Sequence, residues 1–124
     1  MTTALSCVLI AGLMPYAWTI TAKVVGKSYD NRDPRAWQSR LAGLPARAHA
    51  AHLNSFEAFP LFAAAVLSVL VMGGDREWLD KLACAYVALR LAYGLAYMID
   101  QATLRSLLWF AALACNIAIF LQAS

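Results

Sequence analysis

The sequence predicts an all-α fold, an integral membrane bundle of four helices, from three observations. Apolar residues make up 62% of the 124 residues and charged residues only 14%, and the mean hydropathy is +0.61, whereas soluble domains are roughly half apolar and a quarter charged. The apolar residues form four stretches, each close to the roughly 20 residues that a helix needs to cross the hydrocarbon layer. None of them alternates apolar and polar residues as the strands of a membrane barrel do. We therefore predict a single domain, residues 1–124.

The same composition excludes several other classes of protein. A disordered chain would be poorer in apolar residues, and a disulfide-rich secreted domain would hold more than the three cysteines found here. The net charge of +3 could indicate nucleic-acid binding, but six of the ten Lys and Arg residues fall between Lys23 and Arg47, and they do not repeat along a helical face. We therefore expect no nucleic-acid partner and interpret the basic segment as a loop at a membrane surface.

The four helices are predicted over residues of about 4–25, 46–72, 78–99 and 104–122. Pro15 should kink the first helix, and neighbouring helices can satisfy the carbonyl that its missing N–H leaves free. The first helix could instead be a cleaved signal peptide, but it has no basic residue before its apolar run, and Lys23 and Lys27 follow it. We therefore expect a membrane helix.

A polar loop joins the first two helices and contains two turn or helix-stop signals, Asp33-Pro34 and Gly43-Leu44-Pro45. Helix 2 should begin near Pro45, because proline suits a first helical turn. It is then longer than a membrane requires, so its first turns should project from the bilayer or line a wet cavity.

Neither the histidines nor the cysteines form a recognisable metal or redox motif. His49 and His52 lack a third ligand on the same helical face, so we expect no metal site. Cys7, Cys84 and Cys115 lie inside predicted spans without a Cys-x-x-Cys pair, and we interpret them as small packing residues.

The distribution of basic residues predicts the orientation of the chain. The first and third loops hold seven Lys and Arg residues, whereas the second loop holds only Arg76 and Lys81. Because basic loops stay on the cytoplasmic side of a membrane, we expect the first and third loops in the cytoplasm and both termini on the opposite side.

Two ionisable residues, Glu57 in helix 2 and Arg90 in helix 3, fall inside apolar spans. A charge in such a span is costly, so each residue is a candidate for a functional site. The two could also pair with each other as a buried interhelical ion pair, which would not exclude a role in binding.

Polar side chains near these two residues recur at helical spacing. Such faces are formed in helix 2 by Arg47, Asn54 and Glu57 and in helix 3 by Tyr86, Arg90, Tyr93 and Tyr97. Both faces should point at protein or at a polar cavity rather than at lipid.

At the start of helix 4, Arg105 and Ser106 should lie beside backbone N–H groups that have no intrahelical partner. Such a helix end attracts anions, and an adjacent arginine strengthens the attraction. Arg105 could instead be a cation whose head reaches the membrane surface.

Two stretches of the sequence resemble the MAPEG family, the membrane-associated proteins in eicosanoid and glutathione metabolism. Residues 54–62, Asn-Ser-Phe-Glu-Ala-Phe-Pro-Leu-Phe, resemble its helix 2 signature. Residues 90–97, Arg-Leu-Ala-Tyr-Gly-Leu-Ala-Tyr, followed after seven residues by Arg105-Ser106, resemble its helix 3 and helix 4 signature. The resemblance covers the whole chain in length and four-helix layout, and is closest to the short bacterial branch.

The resemblance implies a homotrimer in a bacterial inner membrane, with glutathione bound between subunits near the cytoplasmic face. Asn54, Glu57, Tyr93 and Tyr97 match glutathione-contacting positions, and Arg105 matches the arginine that stabilises the thiolate. Lowering the pKa of a thiol makes it a better nucleophile at neutral pH. The implied activity is a glutathione-dependent transferase or peroxidase, whose lipophilic electrophile arrives from the lipid along a groove between subunits.

Four further residues near these faces complete the expected glutathione site: Arg47, His52, Arg90 and Ser106. Better-known members of the family carry arginines at two positions where this chain has Ala50 and Leu53, and Arg47, Lys23 or Lys27 could compensate. The alternative is a non-catalytic trimeric membrane protein that binds a lipid or another anionic ligand at the same site. A small transporter is less well supported, because the chain shows no inverted repeat or broken helix pair.

Overall fold

The computed structural model describes residues 1–123, and this part of the chain is all-helical, as predicted, with no strand. It contains the five helices α1 (Thr3–Gly26), α2 (Pro34–Ser39), α3 (Gly43–Met72), α4 (Arg76–Met98) and α5 (Ala102–Phe120). The four long helices lie within a few residues of the ranges given above. The short helix α2 lies inside the first loop and was not expected.

Helix α2 forms because the Asp33-Pro34 pair begins a helix directly after a turn at residues 31–32. Of the two interpretations given above, turn or helix stop, the helix stop is therefore wrong. The Asp33 carboxylate accepts the N–H of Ala36 at 3.1 Å, which caps the first turn. Pro34 occupies the first turn, where a missing N–H leaves no hydrogen bond unmade. The buried Trp37 donates its indole N–H to the carbonyl of Lys27 at 3.0 Å, which fastens α2 to the end of α1.

Consecutive long helices run in opposite directions. At one end of the molecule, the backbone N–H of Ala4 in α1 donates to the Asp80 carboxylate near the start of α4 at 3.0 Å. At the other end, the Arg47 side chain in α3 donates to the carbonyl of Met98 at 3.0 Å. This second end also holds α2 and the α4–α5 turn, and we call it the basic end. The two basic loops of the sequence therefore lie at the same end of the molecule.

Helices α3 and α4 form the centre, because each of them packs on the three other long helices. Small side chains allow close approach, and Ala51, Ala65 and Ala83 are fully buried. The rings of Phe62 in α3 and Tyr86 in α4 stack with their centroids 3.9 Å apart. Such close packing sets the distance between α3 and α4.

The outer faces of the helices are apolar, as membrane helices require. Helices α1, α3 and α5 are long and apolar enough to cross a membrane. Their outer faces expose large apolar side chains, among them Leu13, Val71 and Phe110. Helix α4 is less apolar, because its first turns are charged and Arg90 lies within it. The fourth span stays a prediction.

The packing of α1 on α4 can be tested through two thiols. The sulfur atoms of Cys7 and Cys84 lie 3.7 Å apart, and both thiols are free. A disulfide needs such adjacent sulfurs on side chains that can rotate toward each other. We expect copper-phenanthroline oxidation of the purified protein to link these two residues within one chain, read by peptide mass spectrometry. Cys84→Ser should abolish the link and Cys115→Ser should leave it, whereas a link through Cys115 would contradict this packing.

Candidate functional site

Arg90 lies at the centre of the candidate site and is only 3% exposed in the middle of α4. Its Nη2 atom donates to the Asn54 side-chain oxygen on α3 at 2.7 Å. Its guanidinium carbon lies 4.2 Å from the centroid of the Tyr93 ring, one turn further along α4. An amide oxygen and an aromatic face therefore stabilise this buried charge.

The ion pair between Glu57 and Arg90 that the sequence left open is not formed. Within residues 1–123 the one ion pair is the exposed contact of Lys81 with Glu77. Glu57 is exposed on α3, three residues after the asparagine that binds Arg90. Its carboxylate is therefore available at the surface of the site.

Arg105 extends this arrangement from α4 to α5. Its guanidinium carbon lies 4.3 Å from the centroid of the Tyr97 ring. The rings of Tyr93 and Tyr97 meet edge to face with their centroids 5.8 Å apart. We call Arg90, Tyr93, Tyr97 and Arg105 the Arg–Tyr row, because cations stand at its two ends and two aromatic rings lie between them.

The α4–α5 turn determines where Arg105 lies. Asp100 has a positive φ of 62°, a conformation that aspartate adopts more readily than most residues. The backbone N–H of Gln101 donates to the carbonyl of Ala96 at 2.9 Å, and that of Asp100 donates to the carbonyl of Tyr97 at 3.1 Å. These two hydrogen bonds end α4 and reverse the direction of the chain. The first turns of α5 therefore lie beside Tyr97.

Arg105 directly follows the unpaired N–H groups of α5 and Ser106 comes one residue later, because the helix starts two residues before the expected position. Helix α5 begins at Ala102, and the backbone N–H of Arg105 already donates to the carbonyl of Gln101 at 2.9 Å. The N–H groups at the helix end belong to residues 102–104 instead. The guanidinium group of Arg105 packs on the Tyr97 ring rather than pointing to the end of the helix.

Two adjoining pockets lie beside the Arg–Tyr row. The outer pocket has a volume of about 320 Å³ and is lined by Asn54, Tyr93, Arg105, Ser106, Trp109 and Phe110. The deep pocket has a volume of about 210 Å³ and lies between α3, α4 and α5, away from the basic end. Its lining includes Asn54, Glu57, Tyr86, Arg90, Trp109 and Asn116. Asn54 and Trp109 line both pockets.

The structure therefore brings together most of the residues that the sequence singled out. Asn54, Glu57, Arg90, Tyr93, Arg105 and Ser106 line one or both pockets, and Tyr97 packs behind Arg105. Arg47 and His52 are not brought to these pockets. Arg47 binds the carbonyl of Met98, and the His52 ring nitrogen Nδ1 donates to the carbonyl of Pro15 at 2.8 Å. Both side chains connect α3 to other helices.

Sequence reasoning missed two residues of α5. Neither Trp109 nor Asn116 was singled out from the sequence, yet both line the deep pocket. Trp109 follows Arg105 by four residues and Asn116 follows Trp109 by seven, which places all three on one helical face. The same spacing rule that grouped the tyrosines of α4 would have found them.

The histidines form no metal centre with other residues of the described chain. The rings of His49 and His52 stack with their centroids 5.7 Å apart. Within residues 1–123, no group of three or more His, Cys, Asp or Glu side chains could hold a metal ion.

The sequence also matches the family model described as MAPEG family, over residues 3–124. The chain belongs to the MAPEG family. The resemblance carried by residues 54–62 and 90–97 is thereby confirmed, and with its apolar helices the chain is an integral membrane protein of this family. It shows no significant match to a curated protein or to a solved structure.

The role of Asn54 in holding Arg90 can be measured as stability. Asn54→Leu keeps the branched shape of the side chain but leaves a buried guanidinium without its acceptor. We expect the free energy of unfolding to fall by about 2 kcal/mol, since a hydrogen bond to a charged group is lost. The measurement is thermal or denaturant unfolding in detergent, and the control is Glu57→Gln, which alters an exposed side chain three residues away. Equal losses in the two variants would contradict the assignment.

Proposed function

We propose that this MAPEG protein is a glutathione-dependent transferase or peroxidase that acts on lipophilic electrophiles. The observation that carries the proposal is the position of Arg105. Its guanidinium lines the outer pocket and packs on Tyr97, and no described residue accepts a hydrogen bond from it. A permanently charged donor is therefore available to a ligand in this pocket.

The residues of the outer pocket fit the chemistry of a thiol ligand in part. Bound glutathione would supply a thiolate, which attacks the electrophile. Arg105 would stabilise the negative charge of the sulfur, and the hydroxyls of Tyr93 and Ser106 would donate hydrogen bonds. Glu57, exposed beside the pockets, would hold an ammonium group. Phe110 and Trp109 provide an apolar wall, against which a lipophilic electrophile would lie.

One protomer does not supply every charge that glutathione requires. Glutathione carries two carboxylates, whereas Arg90 is bonded to Asn54 and Arg47 is bonded to Met98. Further cations would then come from a neighbouring subunit, which supports our proposal of a homotrimer with the ligand between subunits. Lys27, exposed at the basic end, is a cation that a neighbouring subunit would contribute under this proposal.

A second function is favoured by the small number of available cations near the site. The chain has Ala50 and Leu53 on α3, and the nearby Arg47 and His52 bind main-chain carbonyls. A site with fewer available cations suits a ligand with a single negative charge. The alternative is therefore a non-catalytic trimer that binds an anionic lipid or another anionic ligand beside Arg105.

We propose that the protein lies in a bacterial inner membrane with the basic end in the cytoplasm. The support is the hydrogen bond from Arg47 to Met98, which puts the first and third loops at the same end. Seven of the ten Lys and Arg residues lie in these loops or in the helix turns next to them. Four spans would then leave both chain ends on the opposite side of the membrane.

The trimer can be tested by native mass spectrometry in mild detergent. We expect a species of three 13.5 kDa chains. Adding glutathione should shift the trimer mass and leave any monomer mass unchanged, because the site would require two subunits. A protein that is monomeric at all concentrations and binds glutathione would contradict the inter-subunit site.

The role of Arg105 can be tested by replacing it with alanine. We expect the unsubstituted protein to show thiolate absorbance in the ultraviolet when glutathione is added at neutral pH. Arg105→Ala should lose this signal and should lower the turnover of an activated aryl chloride by about a hundredfold. Its fold should persist, since the Arg105 side chain makes no hydrogen bond within the described protomer, and native mass spectrometry should still show the trimer.

Arg76→Ala is the matched control, because Arg76 is an exposed arginine at the opposite end of the molecule. It should keep both the thiolate signal and the turnover. Full activity in Arg105→Ala would contradict the mechanism. Absence of saturable glutathione binding in the unsubstituted protein would instead favour the non-catalytic alternative.

A further inference from the structure

Two free thiols meet at the end of the molecule opposite the basic end. The sulfur atoms of Cys7 in α1 and Cys84 in α4 lie 3.7 Å apart, although the two residues are separated by 77 positions in the chain. No spacing rule relates residues so far apart, so the pair could not be recognised in the sequence. The third cysteine, Cys115 on α5, contacts no other sulfur within residues 1–123.

The pair lies one helical turn beyond the contact that joins the first turns of α1 and α4. There the backbone N–H of Ala4 donates to the Asp80 carboxylate at 3.0 Å. Lys81 is the last charged residue of α4 before Arg90, and Cys84 lies roughly 5 Å beyond Lys81 along the helix. We therefore expect the two thiols at the border between the charged end of the protein and the hydrocarbon layer.

The two thiols differ in exposure. Cys7 is 5% exposed and packs in the core, whereas Cys84 is exposed on the outer face of α4. Ala88 and Leu91, one and two turns later on that face, are exposed and apolar. A lipophilic reagent can therefore reach Cys84 but not Cys7. An accessible cysteine beside a second, resolving cysteine is the usual arrangement of a redox-active pair.

The position of Cys84 indicates the class of oxidant. A soluble protein that carries a disulfide would have to enter the hydrocarbon layer to reach this thiol. A hydroperoxide on an apolar chain stays in the lipid, and its polar group is drawn to the border because burying it costs free energy. Lys81 is neutralised by Glu77 at 2.7 Å, and the Asp80 carboxylate disfavours an anionic oxidant, so an uncharged hydroperoxide fits best.

We propose that Cys84 and Cys7 form a redox centre that reduces lipid-soluble hydroperoxides without glutathione. In the first step, the Cys84 sulfur attacks the terminal oxygen of the hydroperoxide and the O–O bond breaks. The thiol proton passes to the leaving oxygen, which departs as an alcohol, and Cys84 becomes a sulfenic acid. In the second step, the Cys7 sulfur attacks the Cys84 sulfur, the S–O bond breaks, and the Cys7 proton leaves with the hydroxyl group as water.

This sequence of steps balances and fits the geometry. The two thiols lose two electrons, and the hydroperoxide gains them as it becomes an alcohol and water. Because a disulfide bond is about 2 Å long, the sulfur atoms have only a short distance to close from 3.7 Å. Oxidation by copper-phenanthroline tests only that the thiols meet, whereas this proposal requires that oxygen is transferred to Cys84 first.

The experiment uses the full chain in vesicles of saturated phosphatidylcholine, with cumene hydroperoxide as the oxidant and no glutathione. We expect one cumyl alcohol per chain, the loss of two thiols, and a link between Cys7 and Cys84 in peptide mass spectrometry. Dithiothreitol should then restore both thiols. Cys84→Ala should lose all these signals, whereas Cys115→Ala, the matched control on α5, should keep them.

Cys7→Ala separates the two steps. Without the second thiol, the sulfenic acid on Cys84 should persist, and dimedone should trap it there while the alcohol is still released. Alanine keeps a small apolar side chain at this buried position, so the fold should be retained, which thermal unfolding checks. A dimedone adduct on Cys115 instead of Cys84 would overturn the proposal, as would a disulfide that forms in the unsubstituted protein without release of the alcohol.

Hydrogen peroxide, which stays in water, is the second probe. Each rate of thiol loss is divided by the rate of the same oxidant with free cysteine in water. The normalised rate should be higher for cumene hydroperoxide, and equal values would contradict delivery from the lipid. No glutathione is present, so none of these results bears on the thiolate assay with Arg105→Ala. The two proposals can therefore fail independently.

Discussion

A single buried arginine imposes the main constraint on this structure. Arg90 lies in the middle of α4 with 3% of its surface exposed, and a charge in that position must be paired. Helix α3 therefore has to present Asn54 at the same depth, and α4 has to present Tyr93 one turn later. These two contacts fix the rotation of α3 and α4 about their axes and the height of one against the other.

The packing further from the basic end follows from that alignment. Because the two helices are antiparallel, residues before Arg90 on α4 meet residues after Asn54 on α3. Among them are Tyr86 and Phe62, whose rings stack at 3.9 Å. The Tyr86 hydroxyl donates to the carbonyl of Ala58 in α3 at 3.4 Å. The same helix contains Pro60, which has no backbone N–H to donate to a helical hydrogen bond. The polar contact between Arg90 and Asn54 and the apolar stacking of Phe62 on Tyr86 therefore belong to one alignment of α3 and α4.

Much of this arrangement could be predicted from the sequence, because it depends on local rules. Helical spacing placed Arg90, Tyr93 and Tyr97 on one face, and the length of the apolar stretches located the long helices. The orientation of Arg47 and His52 could not be predicted in the same way. Each has a main-chain carbonyl of another helix as its partner, so its direction depends on tertiary packing. Asn116 was missed because a neutral amide costs much less to bury in an apolar helix than a charge does, so the sequence gives a weaker signal.

Helix α2 shows a different limit of sequence reasoning. Asp33-Pro34 is as typical of a helix start as of a turn, and the contact between Trp37 and Lys27 decides between them. That contact joins residues on two sides of a loop, which no spacing rule relates. Local patterns therefore predict the elements of this protein better than they predict the loop between them.

The distribution of charge around the outer pocket connects the proposed ligand to the proposed assembly. Arg105 is held by a ring alone, whereas the other arginines near the site are bonded to an amide or to the main chain. A protomer on its own therefore offers one available guanidinium to a ligand that would bring two carboxylates. Glutathione binding and a shared inter-subunit site thus support each other, because the second carboxylate needs a cation from outside the protomer. An anionic ligand with one charge has no such requirement, so the number of charges on the ligand is what separates the two proposed functions.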